Sequence, residues 1–283
     1  MLLKKIDRSR LFLEKHHDLF ACPNCHQPLK MNQTSFICDN NHRFDLNKKG
    51  NLHFMNHTVK TEYDKEMLEH RQQMIQSGLY QPLIEWLVDY LQEDQVSSVV
   101  DMGCGEGSFL QQLEKNGLPG TKVGFDISKD GVALATNQEL EAFWCVADIT
   151  NLPFADKQIS HLLNIFSPSH YQEFRRVLAP KGKLIKVVPE SGYLKELREL
   201  FYDGREEKQS YSNEKVVTKF AEEMTTITTE RLTYQIPVTD DNYLDILEMS
   251  PLKWGASPEL RAKIKETRKI DFLTVDVLIL VGQ

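Results

Sequence analysis

The sequence predicts an α/β fold: a mostly parallel sheet with helices on its faces, preceded by a small module rich in cysteine and histidine. Three observations predict it. From about residue 80 to about residue 190, short β-type runs alternate with helical stretches, the rhythm of successive βαβ units. A glycine-rich turn, Gly103-Cys104-Gly105-Glu106-Gly107, follows one of those strands and opens a helix. Three of the chain's five cysteines fall between Cys22 and Cys38, ahead of that rhythm.

Taken in order, residues 1–20 read as a short amphipathic helix, with Ile6, Leu11, Phe12 and Leu13 among charges. Residues 21–57 have little helical periodicity and offer only short strands, SFICD, HRFDL and NLHFM. Two helices follow, TEYDKEMLEHRQQMIQSG and YQPLIEWLVDYLQED, the second with a stripe of Leu83, Trp86, Leu87, Tyr90 and Leu91. The α/β rhythm then runs through strand SSVVDMG, helix GSFLQQLEKNG, strand TKVGFDIS and helix GVALATNQ. It continues with strands AFWCVAD and QISHLLNIF, helix HYQEFRRVLAP, and strand GKLIKVVPES entered through a Pro-Lys-Gly turn. IDFLTVDVLILVG reads as the closing edge strand. The expected division is residues 1–60 for the N-terminal helix and module, and 61–283 for the larger domain.

No run approaches the roughly 18 apolar residues of a membrane span. The N-terminus is charged and lacks a signal peptide's apolar block. A cytoplasmic chain is expected, where clustered thiols favour metal over disulfide. The whole chain carries −7, yet residues 1–60 hold ten basic side chains against five acidic ones. The basic ones are Lys4, Lys5, Arg8, Arg10, Lys15, Lys30, Arg43, Lys48, Lys49 and Lys60, a concentration suited to binding phosphate.

Cys22, Cys25, Cys38 and His42 follow the spacing C-x2-C-x12-C-x3-H. Two tight turns a dozen residues apart supply four soft or borderline ligands, the requirement of tetrahedral zinc. Pro23 favours the first turn, and Asp39, Asn40 and Asn41 the second. His26 competes with His42 for the fourth place, but it follows Cys25 directly and would point away. Four protein ligands close the shell, so the expected ion is one structural Zn2+.

Gly103, Gly105 and Gly107 let backbone approach a ligand at a helix N-terminus. Where a dinucleotide turn has its third glycine this chain has Ser108, and Glu106 within the turn would repel a pyrophosphate. Acidic residues at Asp101, Glu106, Asp126 and Asp148 suit a cationic nucleoside without phosphates, S-adenosylmethionine. Asp126, ending the next strand, would accept the ribose hydroxyls, and Asp148, after the third, would lie near the adenine amino group. Cys104 and Cys145 read as packing residues, since neither has an evident base nearby.

DMGCGEG, GFDIS, VAD and LPF resemble the Rossmann-like class I S-adenosylmethionine-dependent methyltransferases across roughly residues 80–190. With the cysteine cluster, GLYQPL, NIFSP and EMSPLKWGASPE, the chain resembles the RlmA family of 23S rRNA (guanine-N1-)-methyltransferases from residue 20 onward. That resemblance implies methyl transfer to N1 of a guanine in a large-subunit rRNA hairpin loop, by a homodimer. It places Tyr80 and Tyr193 at cofactor contacts, although each also fits a core aromatic, and some members carry histidine where this chain has Tyr193.

Asn164, Phe166, Ser167 and Pro168, after the fourth strand, are the expected substrate pocket. Phe166 would stack on a flipped guanine or pack in the core, Pro168 would shape the pocket, and Asn164 or Ser167 would bond the base edge. The residues nominate no general base. Arg43, Lys48 and Lys49 would hold RNA backbone. Two other functions fit the same motifs: a small-molecule methyltransferase with a structural zinc site, and a zinc-dependent RNA-binding regulator.

Overall fold

The computed structural model describes residues 3–55, 59, 61–205, 209, 211–267 and 270–283; Lys60 lies outside them. Helix α1 spans Lys5–Lys15, and short strands β1 (Leu29–Asn32), β2 (Ser35–Cys38), β3 (Arg43–Asp45) and β4 (Leu52–His53) follow. Helices α2 (Lys65–Gln76) and α3 (Gln81–Gln92) come next. The α/β stretch comprises β5 (Ser98–Met102), α4 (Ser108–Lys115), β6 (Thr121–Asp126), α5 (Lys129–Ala135), β7 (Ala142–Val146), β8 (Ile159–Ile165), α6 (Tyr171–Val177) and β9 (Leu178–Pro189). The remainder holds α7 (Lys195–Phe201), α8 (Glu214–Glu223), β10 (Thr226–Pro237), α9 (Tyr243–Glu248), α10 (Pro258–Glu266) and β11 (Phe272–Gly282).

Two compact units divide the chain: Met1–Glu62 with Ile84–Ile185 and Gln283, and Tyr63–Leu83 with Lys186–Gly282. In the first, the strand order is β9-β8-β5-β6-β7-β4. The pairs β5/β8, β5/β6, β6/β7 and β7/β4 are parallel. β5 is buried along its whole length, as a central parallel strand covered on both faces must be. Ser128 caps α5 by accepting from Gly131 N at 3.1 Å.

The cysteine-rich segment joins this sheet directly. Leu52 and His53 of β4 pair with Cys145 and Val146 of β7. Phe20 carries the contact inward: its ring meets Phe36, Phe143 and Phe154 at centroid distances of 5.7, 5.6 and 5.5 Å. Phe54 stacks on Phe20 at 6.5 Å and meets Phe44 at 4.9 Å, so ribbon and sheet share one aromatic core.

In the second unit the order is β10-β11-β9, the end of β9 belonging to this unit. This corrects the expectation that IDFLTVDVLILVG is the closing edge: β10 lies outside it, antiparallel, with Thr233 opposite Asp276. Most of β11 is buried, as an interior strand should be, whereas every residue of β10 is half-buried or exposed. The expected Pro-Lys-Gly turn is also absent, because β9 begins at Leu178 and runs through Pro180, Lys181 and Gly182. Gly182 serves a close approach instead: a Cβ there would sit 2.8 Å from the carbonyl oxygen of Ile159 in β8. Among the described residues no helix is long and apolar enough to cross a membrane.

Candidate functional site

The metal centre is assembled by two turns. After the bridge of Ala21 to Pro28, the amides of Cys25 and His26 both donate to Cys22 O, at 3.3 and 2.7 Å. In the second turn Asn41, at φ +60°, donates to Cys38 O at 2.9 Å and leaves His42 facing the cysteines. His42 Nδ1 lies 3.4, 3.3 and 3.4 Å from the sulfurs of Cys22, Cys25 and Cys38, and Cys25 and Cys38 are 3.7 Å apart. All four ligand atoms fall within 4.8 Å of one another. Zinc bonds of about 2.3 Å to sulfur and 2.0 Å to nitrogen make a tetrahedron with edges of roughly 3.5–3.8 Å, so the quartet fits the ion. Burial pushes the Cys22 thiol up to about 12, while the Gln27 amide holds Cys25 down to about 6. Such a split is expected when adjacent thiols cannot all ionise without a cation between them. His26 is exposed and outside the cluster.

The cofactor turn is the second assembly. Gly103, Gly105 and Gly107 all take positive φ, at +75°, +53° and +82°. A Cβ on Gly103 would lie 2.3 Å from Ser167 Oγ, and one on Gly107 would lie 2.6 Å from the Trp144 ring. Glycine is therefore required by both torsion and space. Asp126, at the end of β6, is fastened to the turn: its carboxylate accepts from Gly105 N at 2.9 Å and from Ser128 N at 2.7 Å. Asp101 and Glu106 are buried, at 3% and 1% exposure, beneath this edge of the sheet. Burial, then the charges of Asp101 and Asp126, pushes the Cys104 thiol well up, which removes it as a nucleophile. Cys145 is fully buried as well.

Asp148 is half-buried in a tight turn, where its Oδ1 accepts from Thr150 N and Oγ1 at 2.8 and 2.7 Å. Its Oδ2 takes no hydrogen bond among the described residues and suits an adenine amino donor. The glycine cradle, Asp126 and Asp148 therefore lie at the C-terminal ends of β5, β6 and β7, and they fit S-adenosylmethionine.

The NIFSP loop after β8 touches the same turn, with Ser167 Oγ 3.4 Å from Gly103 O and 3.2 Å from Ile165 O. Asn164 is fully buried and braces the loop: it donates to Pro168 O at 2.8 Å and accepts from Ser169 Oγ at 3.2 Å. Phe166 is held at φ +55° and meets Phe109 edge-on at 6.3 Å. A bulky residue at positive φ costs about 1–3 kcal/mol, and such strain gathers at functional loops.

Tyr80 and Tyr193 both lie in the second unit. Their hydroxyls are 2.5 Å apart. Burial, then the neighbouring Tyr80, pushes the Tyr193 hydroxyl well above its ordinary value. The loop before Tyr193 is pinned by Gly192 N donating to Asp276 Oδ2 at 2.9 Å, and by Arg198 donating to the carbonyls of Ser191 and Tyr193. Sequence reasoning missed Trp144 as the wall behind Gly107, and it missed Asn151, whose side chain donates to Pro23 O at 3.1 Å. An Asp-Ile-Thr-Asn turn signal was legible for Asn151; its distant partner was not.

A family model described as "RlmA, N-terminal" matches residues 20–61, and one described as "Methyltransferase domain" matches residues 99–182. A Bacillus subtilis (strain 168) protein, provisionally named the 23S rRNA (guanine-N(1)-)-methyltransferase YxjB, is 36% identical over 93% of this chain and 96% of its own. The chain belongs to the RlmA family of 23S rRNA (guanine-N1-)-methyltransferases. A second relative of this RlmA-family chain is the Streptomyces fradiae 23S rRNA (guanine(748)-N(1))-methyltransferase, 28% identical over 90% of this chain and 93% of its own. Among solved structures, the YcgJ protein of Bacillus subtilis superposes with a TM-score of 0.48 at 16% identity, over 70% of this chain and 96% of that one. As in the RlmA family, the cofactors are S-adenosylmethionine and one zinc ion.

Proposed function

We propose that this RlmA-family chain methylates N1 of a guanine in 23S rRNA, using S-adenosylmethionine. The observation that carries the proposal is the pairing, in one compact unit, of a closed Cys3His quartet with the glycine cradle fastened to Asp126. The first belongs to the RlmA ribbon and the second to the methyltransferase fold.

Bound S-adenosylmethionine supplies an electrophilic methyl group. The chain's residues must hold it, bring guanine N1 into line and exclude water. The N1 proton must be lost as the N1–methyl bond forms and the sulfur–methyl bond breaks, leaving the neutral thioether. Asp126 and Asp148 take the nucleoside's hydroxyl and amino donors, and Gly103, Gly105 and Gly107 cradle the rest. Asp101 and Glu106 supply negative potential for the cation, and the family resemblance adds Tyr80 and Tyr193 as cofactor contacts. Phe166 stacks on the flipped base, Ser167 and Pro168 wall the pocket, and Asn164 acts on the base edge through the loop it braces. Cys22, Cys25, Cys38 and His42 bind the zinc. The segment 1–60 acts as the RNA-gripping module, with exposed Arg43, Lys48 and Lys49 on phosphate; Arg43 is shared with Asp45 at 2.7 Å. The substrate is a hairpin loop, the working state a homodimer and the compartment the cytoplasm.

The test is incubation with labelled S-adenosylmethionine and ribosomal RNA from a strain lacking the gene, followed by mapping of modified nucleotides. One guanine methylated at N1 is expected. Label only in small molecules would mark a small-molecule methyltransferase. RNA binding with no label would mark a regulator.

A further inference from the structure

The turn that carries Asp148 is built into the metal ribbon. Asn151 N donates to Asp148 O at 3.0 Å, closing the turn. Asn151 Nδ2 then reaches out of it to Pro23 O at 3.1 Å, between the first two cysteines of the quartet. Beyond that bond the two segments run antiparallel. Ala21 N donates to Pro153 O at 3.1 Å, Ala155 N donates to Leu19 O at 3.0 Å, and Phe20 pairs with Phe154. On the other flank, Phe54 N donates to Val146 O at 2.9 Å, two residues before Asp148. Backbone before and after Asp148 is thus tied to the ribbon.

A second layer stiffens this joint. Glu173, at the start of α6, accepts from Leu152 N at 2.8 Å, and Arg176 donates to the carbonyls of Leu152 and Phe154 at 2.9 and 2.7 Å. Glu173 and Arg176 also pair at 2.6 Å, so the segment after Asn151 has little freedom to move independently of its anchors. The other anchor is the Cys22–Cys25 turn. Small ribbons draw their order from the ion they bind, so the position of the Pro23 carbonyl depends on the metal.

We propose that Asn151 is a positioning residue through which the zinc turn sets the placement of Asp148, making metal and cofactor binding cooperative. The proposal rests on Asp148 being the acceptor for the adenine amino group. Linkage makes the effect reciprocal: whatever factor zinc adds to cofactor affinity, the cofactor adds to zinc affinity.

The experiment uses the full chain. S-adenosylmethionine affinity is measured by calorimetry with zinc bound and after chelation, and zinc affinity by chelator competition with and without S-adenosylmethionine. Zinc loss should weaken cofactor binding about fivefold or more, and the cofactor should tighten zinc by the same factor. Asn151→Ala should bring the reciprocal factor close to one while the quartet still binds zinc. Asn151 is exposed, so its truncation leaves no cavity. If chelation unfolds the chain, the zinc-loaded Asn151→Ala protein still decides: it should bind the cofactor several-fold more weakly than wild type. Equal cofactor affinity in that variant, or an intact reciprocal factor, would overturn the proposal. Asp148→Ala separates the two claims. If it leaves cofactor affinity unchanged, the adenine reading fails; if it weakens binding while coupling is absent, only the coupling fails.

Discussion

Phe20→Ala tests whether ribbon and sheet fold as one body. Phe20 is 1% exposed and its ring meets four others, two on the ribbon side (Phe36 and Phe54) and two on the sheet side (Phe143 and Phe154). Truncating a buried phenylalanine removes its transfer free energy and leaves a cavity, a cost of about 3–5 kcal/mol. The area estimate agrees: roughly 150–250 Å² at about 25 cal/mol per Å² is about 4–6 kcal/mol, less what the retained Cβ still buries. Taking about 4 kcal/mol, the folded-to-unfolded ratio falls by nearly a thousandfold. The assay is urea unfolding with two probes, zinc release to a dye and tryptophan fluorescence. A Trp254→Phe background leaves Trp86 and Trp144, both in the first unit, to report on the sheet. Both probes should give one transition in the parent and move together in the variant. If zinc is released well before fluorescence changes, and Phe20→Ala shifts only the zinc-release curve, the ribbon is an independent body and the shared-core argument is wrong.

Other expectations can be checked alongside. Gly107→Ala puts a Cβ 2.6 Å from Trp144 at φ +82°, so about 2–4 kcal/mol of stability should be lost together with cofactor affinity; unchanged calorimetric affinity would contradict the cradle. Tyr80→Phe and Tyr193→Phe should each raise the Kd for S-adenosylmethionine several-fold. Their effects should be less than additive, since each single change breaks the same hydroxyl pair, and strict additivity would argue against it. Asp94 concerns acid stability. Burial would raise its pKa, but hydrogen bonds from Lys183 and His161 outweigh this and hold it down to about 2. A carboxylate lowered in the folded state contributes stability above its unfolded value near 4, lost as pH falls towards 2. Asp94→Asn should therefore flatten the fall in melting temperature between about pH 4 and pH 2; a decline as steep as wild type would exclude this ion pair as its source.

Much of the site was legible because its signals are local. The quartet is two turns of fixed spacing, and the cradle is a run of glycines between a strand and a helix. Asp126 could be placed because a strand end is visible in the apolar run before it. What escaped reading depends on distant partners. β10 contains Thr226, Thr228, Glu230 and Arg231 and buries little, so no apolar period announces it; it is a strand because β11 lies beside it. Gly182 looked like part of a turn because a neighbouring strand's close approach leaves the same residue as a reversal does. Nothing in Asn151 points to Pro23, 128 residues away. Asn164 or Ser167 was expected at the base edge, and only coordinates reveal that the Asn164 amide holds the loop together through Pro168 and Ser169.

The parallel pairing of β4 with β7 has a consequence for colloidal behaviour. β7 reads Ala-Phe-Trp-Cys-Val, an apolar segment whose outer hydrogen-bonding side would otherwise be a free sheet edge. The short β4, delivered by the metal-folded segment, occupies that edge, and Phe54 N takes the carbonyl of Val146 just beyond it. Stripping the metal would loosen this cover and offer an apolar strand to other chains. Chelated protein should therefore self-associate at concentrations where the zinc-loaded form stays dispersed, with Ala142–Val146 as the first segment to pair.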